Sequence, residues 1–167
     1  MEKNKLFEEE NGEKLRLAMR NWASGVAVVT SACLGARAGT TISSFTSLSL
    51  DPPLVLFNLA LENPLQTMIE QSGIFGITIL ASGQGGLSDR FAGFGKRMQD
   101  RFDRLETFTL KSPAPLLAGG LAWLDCRVYH LQRLPKSMVI IGEVIEGKVG
   151  EEGRPLVYLN RAYVGAC

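Results

Sequence analysis

The feature that most constrains the fold is a hydroxyl-rich stretch, residues 39–59, which reads GTTISSFTSLSLDPPLVLFNL. Its first half mixes serines and threonines with single apolar residues, which is typical of a half-buried segment rather than a surface loop. Pro52 and Pro53 then interrupt it, because proline has no backbone N–H to donate to a sheet. Leu54–Leu59 follows as an apolar run of strand length. The pattern predicts a strand, a polar loop, a Pro-Pro corner and a buried strand, in that order.

The hydroxyls of this loop, together with backbone N–H groups, can bind the phosphate or polyol oxygens of a ligand without any positive charge. They belong to Thr40, Thr41, Ser43, Ser44, Thr46, Ser47 and Ser49. A second interpretation is a Ser/Thr-rich turn region of a β-barrel that binds nothing, because hydroxyl-rich turns are common. Composition alone leaves both interpretations open.

Length and charge exclude several classes of protein. A chain of 167 residues predicts a single domain over residues 1–167, with a polar lead-in over residues 1–12. The net charge of +1 gives no indication of nucleic-acid binding. No apolar run approaches the ~20 residues that cross a bilayer, and the charged N-terminus lacks a signal-peptide core. We therefore expect no membrane partner and a cytoplasmic location.

Cysteine and histidine usage argues against a metal site. The three cysteines, Cys33, Cys126 and Cys167, are an odd number without CxxC spacing, which fits neither a disulfide framework nor a zinc site. A single histidine, His130, cannot build a histidine cluster, and we interpret it as a strand residue. We expect no bound metal.

Hydrophobic patterning predicts more strands than helices. The predicted helices are Glu13–Ala23, closed by Ser24–Gly25, then Leu65–Gln71 after an Asn63 cap, and Leu87–Phe94. The predicted strands are Val26–Ala32, Leu54–Leu59, Ile74–Leu80, Leu121–Leu131, Ser137–Ile145 and Pro155–Leu159. The predicted turns and loops are Leu34–Gly39, Ser82–Gly86, Gly95–Phe102, Pro113–Gly120, Glu146–Arg154 and a tail, Asn160–Cys167. Because no strand–helix–strand rhythm repeats, the pattern favours a mainly β fold, an antiparallel barrel with small helices at its edges.

Several strings, taken together and in order, resemble the flavin reductase-like family, whose fold is the FMN-binding split barrel. They are SGVAVVT at 24–30, TTISSFTSLSLDPPLVLFNL at 40–59, GIFGITILA at 73–81, DRF at 89–91, LDCRV at 124–128, IGEV at 141–144 and PLVY at 155–158. The specific part is T-x-S-S-F-x-S-x-S-x-D-P-P; the others are weak alone. The resemblance spans roughly residues 15–163.

The resemblance implies a homodimeric flavin reductase. Such proteins bind FMN, or sometimes FAD, and many reduce it with NADH or NADPH. The reduced flavin often passes to a partner monooxygenase. Because the flavin carries the hydride, no catalytic side chain is expected.

The resemblance also implies a set of flavin contacts. The ribityl and ring region would meet Thr41, Ser43 and Ser44, and the next part of the site would be lined by Ser47, Ser49, Leu50 and Asp51. The second side would be formed by Ile79, Leu80, Ala81 and Gln84, and closed by Phe91. Arg90, or else Arg97 or Arg101, would bind the phosphate through its guanidinium; each arginine is equally well interpreted as a surface salt bridge.

One departure from the family pattern concerns the nicotinamide side of the flavin. Many family reductases carry Gly-Asp-His before the IGEV strand, whereas this chain reads Lys136-Ser137-Met138. Lys136 can offer a charge to a phosphate, and Met138 can pack on the ring; a simply solvated strand end is the other interpretation. An alternative function is therefore an FMN-binding electron-transfer protein with a non-nicotinamide donor. A third is a binding module without a redox role.

Overall fold

The backbone forms three helices and three sheets over residues 2–93 and 100–165, the part of the chain that this computed structural model describes. The helices are α1 (Glu2–Ala18), α2 (Pro64–Ser72) and α3 (Gly85–Ala92), with 3-10 turns at Met19–Asn21 and Ser82–Gln84. The strands are β1 (Ser24–Gly25), β2 (Ala27–Cys33), β3 (Ala36–Ile42), β4 (Thr46–Leu50), β5 (Pro53–Ala60), β6 (Ile74–Ile79), β7 (Thr107–Phe108), β8 (Leu116–Leu117), β9 (Ala122–Arg133), β10 (Ser137–Val149), β11 (Leu156–Leu159) and β12 (Ala162–Gly165).

The main sheet has seven antiparallel strands in the order β3-β2-β6-β9-β10-β5-β4. Its two edge strands, β3 and β4, are consecutive in the chain and only residues 43–45 separate them. Such a link spans at most about 15 Å, so the sheet must curve back until its edges approach each other. The predicted mainly β, antiparallel split barrel is confirmed. A smaller sheet, β1-β11-β12, and the pair β7-β8 complete the fold.

Aromatic and branched side chains fill the inside of the curved sheet. Phe57 of β5 and Phe75 of β6 are fully buried and meet edge to face, with ring centroids 5.1 Å apart. Burying a side chain of this size contributes roughly 1.5–3 kcal/mol. A second buried cluster, which includes Val26, Leu80 and Phe91, lies where α3 and β11 pack on the main sheet.

Helix α2 begins and ends as its sequence predicts. The side chain of Asn63 accepts a hydrogen bond from the Leu65 N–H at 3.0 Å, and Pro64 occupies the first helical position. Gly73 closes the helix in the left-handed conformation, with φ of 69°, which a residue with a side chain adopts at a cost. The prediction of this helix is confirmed.

The hydroxyl-rich stretch is mostly strand, so the predicted polar loop was wrong. Only residues 43–45 lie outside strands, and β4 pairs with β5 through a hairpin whose turn includes Asp51 and Pro52. Pro53 begins β5 rather than ending the ladder, because proline is tolerated as the first residue of a strand. The turn after β2 is also shorter than predicted, since β3 starts at Ala36.

Residues 2–12 of the predicted polar lead-in are helical, because α1 runs from Glu2 to Ala18. The helix predicted at Glu13–Ala23 lies partly within it, but Gly25 belongs to β1 rather than to a helix cap. The apolar positions of this segment do not face the core. Leu15, Met19 and Trp22 are 63%, 51% and 68% exposed. We call these three residues, one in α1 and two just after it, the α1 stripe.

Two further predictions at the end of the chain were wrong. β10 continues to Val149, through most of the predicted Glu146–Arg154 turn, because β9 is long enough to pair with it. The predicted tail contains β12, which pairs with β11. Of the predicted loop 95–102, residues 95–99 lie outside the described residues. Among the helices that the structure describes, none has the length and apolarity needed to span a bilayer.

Candidate functional site

A cavity of about 120 Å³ opens where the end of β3, α3 and the β11–β12 hairpin meet. Its lining is mostly apolar surface, into which a few hydroxyl-bearing side chains are set. The lining residues are Val26, Thr41, Ile42, Ser43, Ser88, Ala92, Tyr158 and Tyr163. Within this described lining there is no carboxylate, imidazole, thiol or ammonium group. The cavity therefore suits a neutral polar group that exchanges hydrogen bonds with hydroxyls.

Two elements of the cavity are fastened together by Thr41. This residue lies near the end of β3, and its hydroxyl donates a hydrogen bond of 2.6 Å to the backbone carbonyl of Ser88 on α3. That carbonyl is inside the helix, so Thr41 adds a tether from sheet to helix. Ser88 itself is fully buried behind the cavity surface.

Tyr163 connects the third element of the cavity, the β11–β12 hairpin, to α3. Its hydroxyl lies 2.7 Å from a carboxylate oxygen of Asp89 and 2.8 Å from the hydroxyl of Ser88. Its ring is tilted against that of Tyr158, with centroids 5.7 Å apart. Burial raises the pKa of Tyr163 above its ordinary value, and the neighbouring Asp89 carboxylate raises it further. The phenol therefore stays neutral and protonated over the physiological range.

The chain is similar to known proteins over most of its length. A family model described as a flavin reductase like domain matches residues 19–166. The chain belongs to the flavin reductase-like family. It is 35% identical over 151 residues to the reductase component of a 4-hydroxyphenylacetate 3-monooxygenase from Thermus thermophilus, covering 90% of this chain and 94% of that one.

Two further relatives of this flavin reductase-like chain carry names that include a nucleotide. It is 36% identical over 152 residues to an NADH-dependent flavin reductase of Rhodococcus sp, covering 89% and 83% of the two chains. An NADH:FAD oxidoreductase of Streptomyces globisporus C-1027, solved in complex with NAD and FAD fragments, superposes with a TM-score of 0.84 at 28% identity. That match covers 93% of this chain and 92% of the other.

The residues present fit a flavin. The cavity is too small for three fused rings, but its hydroxyl lining suits a short polyol chain, and Ser43 at its rim is exposed. Flavins carry such a chain between ring and phosphate. A ring would then lie outside the cavity, on the surface beside β4.

The structure brings only some of the predicted contacts into this cavity. Thr41 and Ser43 line it. The Ser44 hydroxyl instead bonds to the β5 backbone, accepting from the Asn58 N–H at 3.2 Å. Ser44 therefore extends the β4–β5 pairing.

The predicted contacts of β4 and its turn lie on an edge strand outside the cavity lining. They are Ser47, Ser49, Leu50 and Asp51. Ser49 and Asp51 bond to each other, since the Asp51 N–H donates to the Ser49 hydroxyl at 3.2 Å. Leu50 is 88% exposed, which leaves an apolar surface beside the hydroxyls.

The residues predicted for the second side of the site lie outside the lining of this cavity. Ile79 ends β6, and Leu80 is fully buried, with its N–H and carbonyl bonded to Val26 and Leu156. Ala81 lies at a separate, larger depression of about 570 Å³. The Gln84 amide accepts from the Ala81 N–H at 2.8 Å, so it caps its own turn.

The predicted closing and phosphate-binding residues are largely occupied by protein contacts. Phe91 is fully buried against Phe102, with centroids 5.1 Å apart, so its ring packs the interior. Arg90 donates to the Asp103 carbonyl, although its Nε is buried without a partner. Arg101 donates to the Gly39 and Phe91 carbonyls at 3.1 and 2.7 Å. Arg97 lies outside the described residues.

Met138 does not face the site, contrary to one expectation. It is 2% exposed and packs in the main core, because its position in β10 points inward opposite Leu59. Lys136 is exposed in the β9–β10 hairpin. His130 is exposed on β9, as expected of a strand residue.

Sequence reasoning missed Ser88, Tyr158 and Tyr163 as site residues. Ser88 directly precedes the DRF string, and Tyr158 ends the PLVY string, so both lay within or beside recognised signals. Tyr163 had no such signal because its segment was assigned to a tail.

Proposed function

We propose that this chain reduces a flavin, FMN or FAD, with NADH or NADPH and releases it to a partner monooxygenase. The observation that carries the proposal is the hydroxyl-lined cavity in a chain of the flavin reductase-like family. A bound flavin would supply the acceptor for a hydride from the dihydronicotinamide, which would thereby be oxidised, and solvent would supply the proton. The residues of the chain hold and orient the reactants.

The hydroxyls of Thr41 and Ser43 are the proposed contacts to the polyol chain of the flavin. The β4 hydroxyls of Ser47 and Ser49 and the surface of Leu50 are the proposed contacts to the ring. Neutral groups suffice, because hydride transfer needs the two rings stacked at short distance rather than a charged side chain.

NADH is the nucleotide best supported by the relatives. The Rhodococcus relative is named NADH-dependent, and the Streptomyces structure contains NAD fragments. The Thermus relative is named as the reductase component of a monooxygenase, which supports transfer of reduced flavin to a second protein.

A second candidate is an FMN-binding electron-transfer protein with another electron donor. It is favoured by one observation: Lys136-Ser137-Met138 replaces the histidine triplet, and Met138 is buried where it cannot contact a nucleotide. Purified protein with FMN, supplied with NADH or NADPH, separates the two. Loss of nicotinamide absorbance supports the reductase. Tight FMN binding without nucleotide oxidation supports the carrier.

The proposed active form is a homodimer. The α1 stripe and Leu50 are large apolar side chains exposed in the single chain, and exposed apolar patches mark protein interfaces. A twofold dimer would bury the same patch on both copies. Light scattering at micromolar concentration tests it, and a monomer would contradict it.

A further inference from the structure

Tyr163 occupies a junction of three elements at the cavity. It projects from β12, its hydroxyl reaches Ser88 and Asp89 on α3, and its ring packs on the start of that helix. A side chain at Gly85 would place its Cβ only 3.2 Å from the ring. The partners are more than 70 residues away in the chain, so the contact fixes how α3 sits against β12.

The direction of the hydrogen bonds follows from the chemistry of the partners. An ionised carboxylate only accepts, so the single proton of Tyr163 goes to Asp89. The contact between Tyr163 and Ser88 must then use the Ser88 proton. Thr41 likewise gives its proton to the Ser88 carbonyl. Thr41 and Tyr163 therefore keep only lone pairs for a ligand.

A cavity with these acceptors favours a ligand group that donates. The hydroxyls of a polyol donate, whereas a phosphate near neutral pH presents mostly acceptor oxygens. The Asp89 carboxylate behind Tyr163 also disfavours a second negative charge. The Ser43 hydroxyl can both donate and accept a hydrogen bond, so it suits either a donating or an accepting ligand group.

We propose that Tyr163, oriented by Asp89, is a positioning residue that makes this cavity the subsite for the ribityl chain and keeps the phosphate outside it. The inference rests on the proposed flavin-binding function. Strand β12 and Asp89 would then determine which part of the flavin enters the cavity.

Binding of riboflavin and of lumiflavin, which lacks the ribityl chain, tests this subsite. Dissociation constants come from quenching of flavin fluorescence. Tyr163→Phe removes one hydroxyl, and we expect riboflavin to bind roughly tenfold more weakly. Lumiflavin affinity should stay the same. Tyr129→Phe is the matched control, because Tyr129 is 57% exposed on β9 and does not line the cavity.

Variants of Asp89 separate positioning from general structural damage. Asp89→Ala leaves the Tyr163 proton without its acceptor and should weaken riboflavin about as much as Tyr163→Phe does. Asp89→Asn keeps an oxygen that accepts this proton, so it should recover part of the loss. If Tyr163→Phe does not fold, this pair carries the test on its own.

Several results would overturn the inference. Equal weakening of riboflavin and lumiflavin, unchanged riboflavin binding, or displacement of riboflavin by inorganic phosphate would each do so. These results differ from failure of the proposed function, in which the unmodified protein binds neither flavin.

Discussion

At the scale of single residues, the barrel leaves little space where β10 crosses Phe75. A Cβ built on Gly142 would lie 2.1 Å from the Phe75 ring, which is fully buried and held by Phe57. Gly147, on the same strand, meets nothing nearer than 3.5 Å. The glycine of the IGEV string is therefore required by packing.

Gly142→Ala should lower the free energy of unfolding by about 1–3 kcal/mol, because the ring must move out of a close-packed interior. Gly147→Ala, the matched control, should change it by less than about 0.5 kcal/mol. Urea denaturation measures both. Equal stability of the two variants would contradict the packing account.

Cys126 should not react with iodoacetamide in the folded protein. Burial raises its pKa well above the ordinary range for a cysteine, with the Asp125 carboxylate adding to the shift, so the reactive thiolate is scarce. The unfolded chain loses this proton above about pH 8.5, so this group stabilises the fold fully below that pH and less as pH rises. Mass spectrometry at pH 8 should find Cys126 alkylated only after denaturation; labelling of the native protein would count against its burial.

At the scale of elements, residues 100–105 are fastened to β3 and α3 by arginines rather than left free for a phosphate. Arg101 bonds two backbone carbonyls, and Arg37 pairs with Asp100 and lies 4.6 Å from the centre of the Phe102 ring. A sequence shows a basic segment but not which carbonyls lie within reach of it.

Arg101→Ala should destabilise the protein by roughly 1–3 kcal/mol, because two carbonyls lose a charged donor. Arg104→Ala is the control, because the Arg104 side chain is 91% exposed and its ion pair with Asp103 is long, at 3.7 Å. Such exposed ion pairs contribute little to stability. Thermal melting compares them. A larger loss of stability for Arg104→Ala than for Arg101→Ala would contradict this role of Arg101.

The proposed role of the α1 stripe in self-association is also a property of whole elements. The double variant Leu15→Glu with Met19→Glu should weaken self-association by about tenfold or more, because two apolar side chains would leave the interface. Leu34→Glu alters a leucine that is 100% exposed at the β2–β3 turn and should leave association unchanged. Sedimentation velocity over a concentration series gives the constants; identical association of both variants would exclude the stripe from the interface.

Sequence patterns predicted elements where local and tertiary preferences agree. The cap of α2 and the β-branched run of β2 depend on neighbours in the chain, and both were predicted. The apolar spacing of the α1 segment indicates a face buried in the core. Its apolar residues are instead exposed in the single chain, so the sequence pattern did not predict their environment. β12 was missed because four residues show no clear period, and it exists only through pairing with β11.

At the scale of the whole molecule, the cavity is a product of topology. Curving of the seven-stranded sheet brings the end of β3 to α3, and the second sheet brings Tyr163 to the same place. The resemblance therefore identified the family and two residues that line the cavity, Thr41 of β3 and Ser43 just after it, which lie in one specific string. It did not identify Ser88, Asp89 and Tyr163, because their proximity depends on the packing of separate elements.

The most direct test of this account is a crystal structure of the protein with FMN. We expect electron density for the ribityl chain between Thr41 and Tyr163, with the ring outside on the β4 side. Density for FMN at another place, or a cavity closed by its own side chains, would contradict the flavin site described above.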